Sequence, residues 1–327
     1  SRYARNKEAT TQQDFLTGNE IIGDPITAIA GGELFYFSSA ENVAILNDKL
    51  LALDKTINPD VSSQVLFANA SVGNSNIVEI ISASLALSGS WTETQKSVFY
   101  IRVDFSDMPG EPISKQKLEG ISSQASDKLR DYSYGKVWLE NMVSDQVVRL
   151  PNASTYYKPL LESNSPETVH AEATEAFNNL KTGIDLTSFD IVCVFFPKTA
   201  VYWAGRASVG GGRMWINGSE NINVFVHEFG HNFGLQHAAF WDTSGESVVG
   251  NGITDKYGDI FDAMAPYART GHFHIQGKSR LNWLDNTKIQ AVTESGTYRL
   301  SRFDHINADN LQGLKIQKGD NEYYWLG

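Results

Sequence analysis

HEFGHNFGLQH, residues 227–237, places three of the chain's seven histidines within eleven positions and sets a glutamate directly after the first. Upstream, the polar cluster NGSEN at residues 217–221 opens a run in which Ile222, Phe225, Phe229 and Phe233 recur at spacings of three and four. That spacing predicts a helix with one buried stripe. On such a helix His227 and His231 stand about one turn apart and project from the same face, so both imidazoles reach a common point. His237 would lie roughly 280° further round an ideal helix from His227, and it meets the other two only if the helix stops first. Gly234 stands where that stop is needed, because glycine enters a left-handed turn at little steric cost.

Three neutral imidazoles with a fourth position left to water are the donor pattern of a catalytic zinc site. Zinc sites that serve structure alone take four protein ligands, often thiolates. The chain has one cysteine, Cys193, which excludes a Cys-based zinc site and an internal disulfide framework. Glu228 follows a ligand and is expected beside the open position. There it takes a proton from a water that the ion acidifies and hands it to a leaving amine. A purely structural zinc site leaves Glu228 without a task. Histidines merely satisfied inside a core have no need of the spacing H-E-x-x-H-x-x-G-x-x-H, which arises by chance in roughly one such chain in fifty thousand.

That spacing resembles the signature of the metzincin metalloproteases, which also carry a methionine turn downstream. FDAM at residues 261–264 looks like that turn, and the resemblance makes Met264 an apolar floor beneath the ligands. More narrowly, HEFGHNFGLQHA, YGDIFDAM and the following GHFH are similar to the gametolysin-like branch and its bacterial relatives, over roughly residues 97–283. The resemblance implies a secreted bacterial zinc endopeptidase acting on a protein or peptide substrate. It implies a twisted mixed sheet and two long helices, with an edge strand that aligns substrate antiparallel. Some metzincins place a tyrosine two residues after the turn methionine as a further ligand. Here Pro266 occupies that position and the tyrosine is Tyr267, which reads as a packing residue with a catalytic role as the alternative.

The remaining sequence fits an α/β (α+β) catalytic domain at residues 91–285. SVFYIRVDF reads as a buried strand, and Ser114 caps a helix whose apolar face is Leu118, Ile121, Ala125, Leu129 and Tyr132. KVWLENMVSDQVVRL reads as one or two strands. A further helix is expected with Ser165 as N-cap, Pro166 at its first position and Gly183 past its end. IVCVFF is another strand, with Cys193 as a small core residue. AGRASVGGGRMWING lacks both G-x-x-x-x-G-K-[ST] and G-x-G-x-x-G, so it reads as a sheet edge with a glycine-rich connection rather than a phosphate loop. AGRASVGG, residues 204–211, is the candidate substrate edge, since exposed strand backbone can pair with an extended peptide.

Residues 1–90 carry short apolar runs, ELFYF, VAILNDKLLAL, QVLFANA and IVEIISASLAL, separated by turn clusters, and read as a small mixed or β-rich domain with a boundary at LSGSW. As a pro-domain holding a zymogen it would block zinc with a carboxylate such as Asp14, Asp24 or Glu33, since it has no cysteine. The alternative is an attached accessory domain. Residues 286–327 read as the start of a β-rich module, through TYRLSRF, GLKIQK and NEYYWLG.

A net charge of −11 and no basic stripe argue against nucleic acid as a partner. No stretch approaches the ~20 apolar residues of a membrane span. The polar N-terminus has no signal-peptide core, and its first residue, Ser1, suggests a processed chain. Three N-x-S sequons, at Asn69, Asn152 and Asn217, read as chance. Asp259 and Asp262 read as ordinary loop caps, with bracing of the methionine turn or calcium binding as the alternative. His272 and His274 face one side of an extended chain and read as surface histidines or as support for the first site, with a second metal site as the alternative. Two other functions share these residues: a non-catalytic adhesion protein on the same scaffold, and a zinc hydrolase acting on a non-peptide bond.

Overall fold

The computed structural model describes residues 26–30, 33–37, 89–163, 166–243, 251–265, 271–305, 310–319 and 322–327, and divides into two compact units, 1–87 and 88–327. In the first unit, β1 (Ile26–Ala30) pairs antiparallel with β2 (Glu33–Phe37), with Ile26 opposite Phe37. ELFYF is thus a strand; the other apolar runs expected in this unit lie outside the described residues.

In the second unit SVFYIRVDF carries apolar residues at consecutive positions because its strand, β3 (Thr94–Asp104), is covered on both faces. Val98 and Tyr100 pack with Leu118, Ala125 and Leu129 of α1 (Lys115–Tyr132). Phe99, Ile101 and Val103 point the other way, into a second cluster. Ser114 caps α1 as expected, its Oγ accepting the Lys117 N–H at 3.2 Å. The chain then forms β4 (Val137–Val143), parallel to β3, and the short β5 (Val148–Arg149), which also pairs with β3.

The second cluster is closed by α2 (Ser154–Glu162) and α3 (Glu167–Asn178), through Tyr157, Leu161, Val169, Ala173 and Phe177. Helix α3 departs from the expected bounds at both ends. Pro166 sits in the capping position, its carbonyl accepting the Val169 and His170 N–H groups. At the far end, Leu180 and Lys181 donate to Phe177 and Asn178, a tightening to three-residue bonds that closes the helix before Gly183.

β6 (Ile191–Phe196), β7 (Gly205–Ala207) and β8 (Arg213–Asn217) complete a six-stranded mixed sheet in the order β4-β3-β6-β8-β7, with β5 paired to β3. All its pairs are parallel except β7 with β8, so the glycine-rich stretch provides the antiparallel edge strand. Cys193 is fully buried. Helix α4 (Ile222–Asn232) lies on the α1 side of the sheet, Phe225 and Phe229 joining the first cluster. Each such fully buried phenylalanine contributes about 1.5–3 kcal/mol.

Beyond α4 come the hairpin β9 (Phe240–Asp242) and β10 (Ile253–Asp255), then α5 (Ile275–Arg280). β11 (Ile289–Val292) runs parallel to β12 (Gly313–Gly319), which pairs antiparallel with β13 (Glu322–Leu326). The last two match GLKIQK and NEYYWLG. TYRLSRF is not a strand, and IQAV takes its place in the sheet. In TYRLSRF side chains bond nearby, Tyr298 donating to Glu294 O and Arg302 pairing with Asp304, while its backbone is met from elsewhere, Ser301 N–H donating to Leu311 O and the Gln312 side chain donating to Arg302 O.

Candidate metal centre

Helix α4 begins where the sequence indicates. The side chain of Asn221 accepts the Asn223 N–H at 3.0 Å, and every residue from Val224 to Asn232 is buried. The helix is therefore enclosed all round. Its end is the feature the third histidine requires. Gly234 adopts φ 103°, its N–H donates to His231 O at 2.8 Å, and the Leu235 N–H reaches back to Gly230 O at 2.9 Å. This pair of bonds is the Schellman stop, which turns the chain out of the helix with glycine in the strained position.

The stop also orients a histidine ring. His231 Nδ1 lies 2.8 Å from Leu235 O, and His227 Nδ1 lies 2.9 Å from Ala263 O. A carbonyl only accepts, so both Nδ1 atoms carry the proton and both Nε2 atoms present a lone pair. His237 returns alongside, its Nε2 3.0 Å from His231 Nε2. One ligand atom from each of the three histidines lies within 4.8 Å of the others. Burial lowers all three pKa values, His231 to about 3 and His237 to about 4, with neighbouring positive charge adding to the effect on both. The rings are thus neutral and ready to donate to a cation.

Met264 lies beneath the helix at Gly230. A Cβ there would collide with the Met264 sulfur and with Phe273, so only glycine lets the floor approach this closely. The turn is held by Asp262, whose two carboxylate oxygens accept the Met264 and His274 N–H groups, each at 2.6 Å. Ala238 N–H, next to His237, donates to Met264 O at 3.0 Å. Asp262 is therefore a brace of the turn, and Asp259 caps locally by accepting the Phe261 N–H. His272 stacks on Tyr132 with Nδ1 3.2 Å from Lys278 Nζ, whereas His274 faces Phe303, so the two rings have separate surroundings. Pro266 and Tyr267 lie outside the described residues.

Glu228, directly after His227 on α4, is buried against the edge strand. A Cβ on Gly205 would stand 2.6 Å from its Oε1 and 2.7 Å from its Cγ. Its Oε2 is buried and has no hydrogen-bond partner among the described residues. Burial raises its pKa to about 8, against the opposing pull of Arg206. Three neutral imidazoles, two of them oriented by backbone carbonyls, with a buried carboxyl on the same helix that keeps an unspent oxygen, fit a zinc ion.

Several residues that shape the site carry no signal in the sequence. Asn232 is fully buried and ties the end of α4 to the glycine-rich connection, donating to Arg213 O at 3.0 Å, while Gly210 N–H donates to His231 O at 2.8 Å. Trp91 Nε1 donates to Asn232 O at 2.8 Å. Tyr257 packs its ring on that of His237, with centroids 4.1 Å apart.

No protein-family model and no curated protein matches the chain. Among solved structures it is similar to archaemetzincin from Methanopyrus kandleri, at 13% identity over 57% of this chain and 94% of that one, with a TM-score of 0.33. It is similar to a zinc-dependent peptidase from Methanocorpusculum labreanum, at 14% identity over 57% of this chain and 99% of that one, with a TM-score of 0.26. A chain in a chaperone–substrate complex gives 15% identity over 57% of this chain and 33% of that one, with a TM-score of 0.34. Likeness at this level carries no functional inference, and the site is read from its own side chains.

Proposed function

We propose that this chain is a zinc-dependent endopeptidase of the metzincin type, related to the gametolysin-like branch, with His227, His231 and His237 as ligands and Glu228 as general base. The observation that carries this is the conjunction of three neutral imidazoles within reach of one ion and a buried carboxyl whose Oε2 has no partner among the described residues. When bound, zinc acts as a Lewis acid that acidifies water and polarises a substrate carbonyl.

The rest of the chemistry belongs to the chain's own residues. Nδ1–H bonds to Ala263 O and Leu235 O hold the first two rings, and Gly234 brings in the third. Glu228 Oε2 receives the proton of the attacking water and delivers it to the leaving amine. Gly205–Ala207 offers its outer backbone edge to an extended peptide, which would add as a further strand alongside Glu228. In this reading the protein is secreted, and residues 1–90 act as a pro-segment that holds the enzyme as a zymogen.

The test combines metal analysis with cleavage of a proteome-derived peptide library. One zinc per chain is expected, with turnover lost to a chelator and restored by zinc. Glu228→Ala should keep the zinc and lose turnover; a Glu228→Ala protein that holds zinc and cleaves casein at the wild-type rate overturns the assignment.

A further inference from the structure

The three ligands are not held alike. His227 and His231 are buried and each is fixed by a hydrogen bond from Nδ1 to a backbone carbonyl. His237 is half-buried, lies beyond the end of α4, and has no such bond among the described residues. Its neighbour is the ring of Tyr257, 4.1 Å between centroids and tilted by 35°.

The backbone around Tyr257 is arranged to keep it there. Asp255 Oδ1 accepts the Tyr257 N–H at 3.1 Å, and Asp255 O accepts the Gly258 N–H at 3.3 Å, forming a turn at the end of β10. The Asp259 N–H donates to Ala238 O at 3.3 Å, which fastens that turn to the residue following His237. Tyr257 is still 41% exposed, so its ring covers the imidazole face from the solvent side rather than forming part of the core.

We infer that Tyr257 is the positioning residue for the third ligand, its aromatic face doing for His237 what the carbonyls do for His227 and His231. This rests on the metal-site reading above. An aromatic face opposes rotation of the ring and keeps water from its flank, so the feature required is the ring and not the hydroxyl.

The experiment compares wild type, Tyr257→Phe, Tyr257→Leu and Tyr257→Ala in the full chain, with zinc and cobalt as probes. The readouts are the rate of zinc loss to a chelator and the visible absorption of the cobalt-loaded protein. Tyr257→Ala and Tyr257→Leu should lose zinc on the order of 10- to 100-fold faster, the effect expected when support for a ligand is removed, with an altered cobalt spectrum. Tyr257→Phe should restore both. Leucine keeps apolar bulk at this half-exposed position, so a defect shared with alanine is not a folding failure, which circular dichroism checks directly. Wild-type rates and spectra in both non-aromatic variants overturn the inference, as does a Tyr257→Phe protein as defective as alanine. A wild-type chain that binds neither metal overturns the site itself, and is distinguished by requiring no variant.

Discussion

Loading the metal-free chain with zinc at pH 6 should release about one proton more than loading the Glu228→Gln protein does. His231 and His237, pushed down to about 3 and 4, contribute almost nothing, and His227, lowered as well by burial, contributes less than an ordinary imidazole and does so equally in both proteins. Glu228, raised to about 8, begins protonated. To ionise at pH 6 its pKa must fall by about three units, ~4 kcal/mol, which a dication within roughly 8 Å supplies at an effective dielectric near 20. A water acidified towards pH 7 adds only about a tenth of a proton.

The sign follows from the raised carboxyl. Wild-type zinc affinity should climb about tenfold more steeply per pH unit between 5 and 7 than that of Glu228→Gln, because only the wild type must ionise a carboxyl on binding. Calorimetric titration in buffers of different ionisation enthalpy counts the protons. Three ordinary imidazoles, with pKa about 6.5, would together release roughly two protons at pH 6. A release of two or more in both proteins would therefore refute the buried, pre-neutralised ligand set.

Gly205→Ala places a methyl 2.6 Å from Glu228 Oε1; it should leave zinc content intact and lower kcat about 100-fold, the cost of displacing a reacting group by about 1 Å. Equal kcat in the variant and wild type would show that the carboxyl does not need that wall. Gly234→Ala forces an L side chain onto φ 103° and should cost about 1–2 kcal/mol, seen as a lower Tm together with faster zinc loss. Asp262→Asn leaves one amide nitrogen facing a backbone N–H that now donates to a carboxylate oxygen. The loss should be about 1.5–3 kcal/mol in denaturant unfolding, and a change under 0.5 kcal/mol would remove Asp262 as the brace of the methionine turn.

The clustering of His227, His231 and His237 was legible because it obeys a local rule. A helix of known pitch places His227 and His231 together, and the same pitch demands a stop near Gly234, which the Schellman bonds provide. The buried stripe and the Ser114 cap were legible for the same reason. Tyr257, Asn232, Gly205 and Gly230 were not, because what each meets lies elsewhere in the chain. Asn232 earns its burial from the Arg213 carbonyl, Gly230 from the Met264 sulfur, and Tyr257 from an imidazole twenty residues upstream. TYRLSRF misleads in the opposite direction. It alternates like a strand, yet Ser301 N–H donating to Leu311 O is its backbone bond to a distant segment, and alternation alone does not supply a partner.

The bonds that stop α4 tie the site to the local dynamics of one helical turn. Leu235 N–H closes on Gly230 while Leu235 O fixes His231. Fraying of that turn frees the imidazole at the moment it frees the backbone. Escape of the ion and opening of the helix end should then be one event with one rate constant. Amide hydrogen exchange at Gly234 and Leu235 becomes a clock for metal residence, slowing as the site fills and quickening as it empties, with no substrate present.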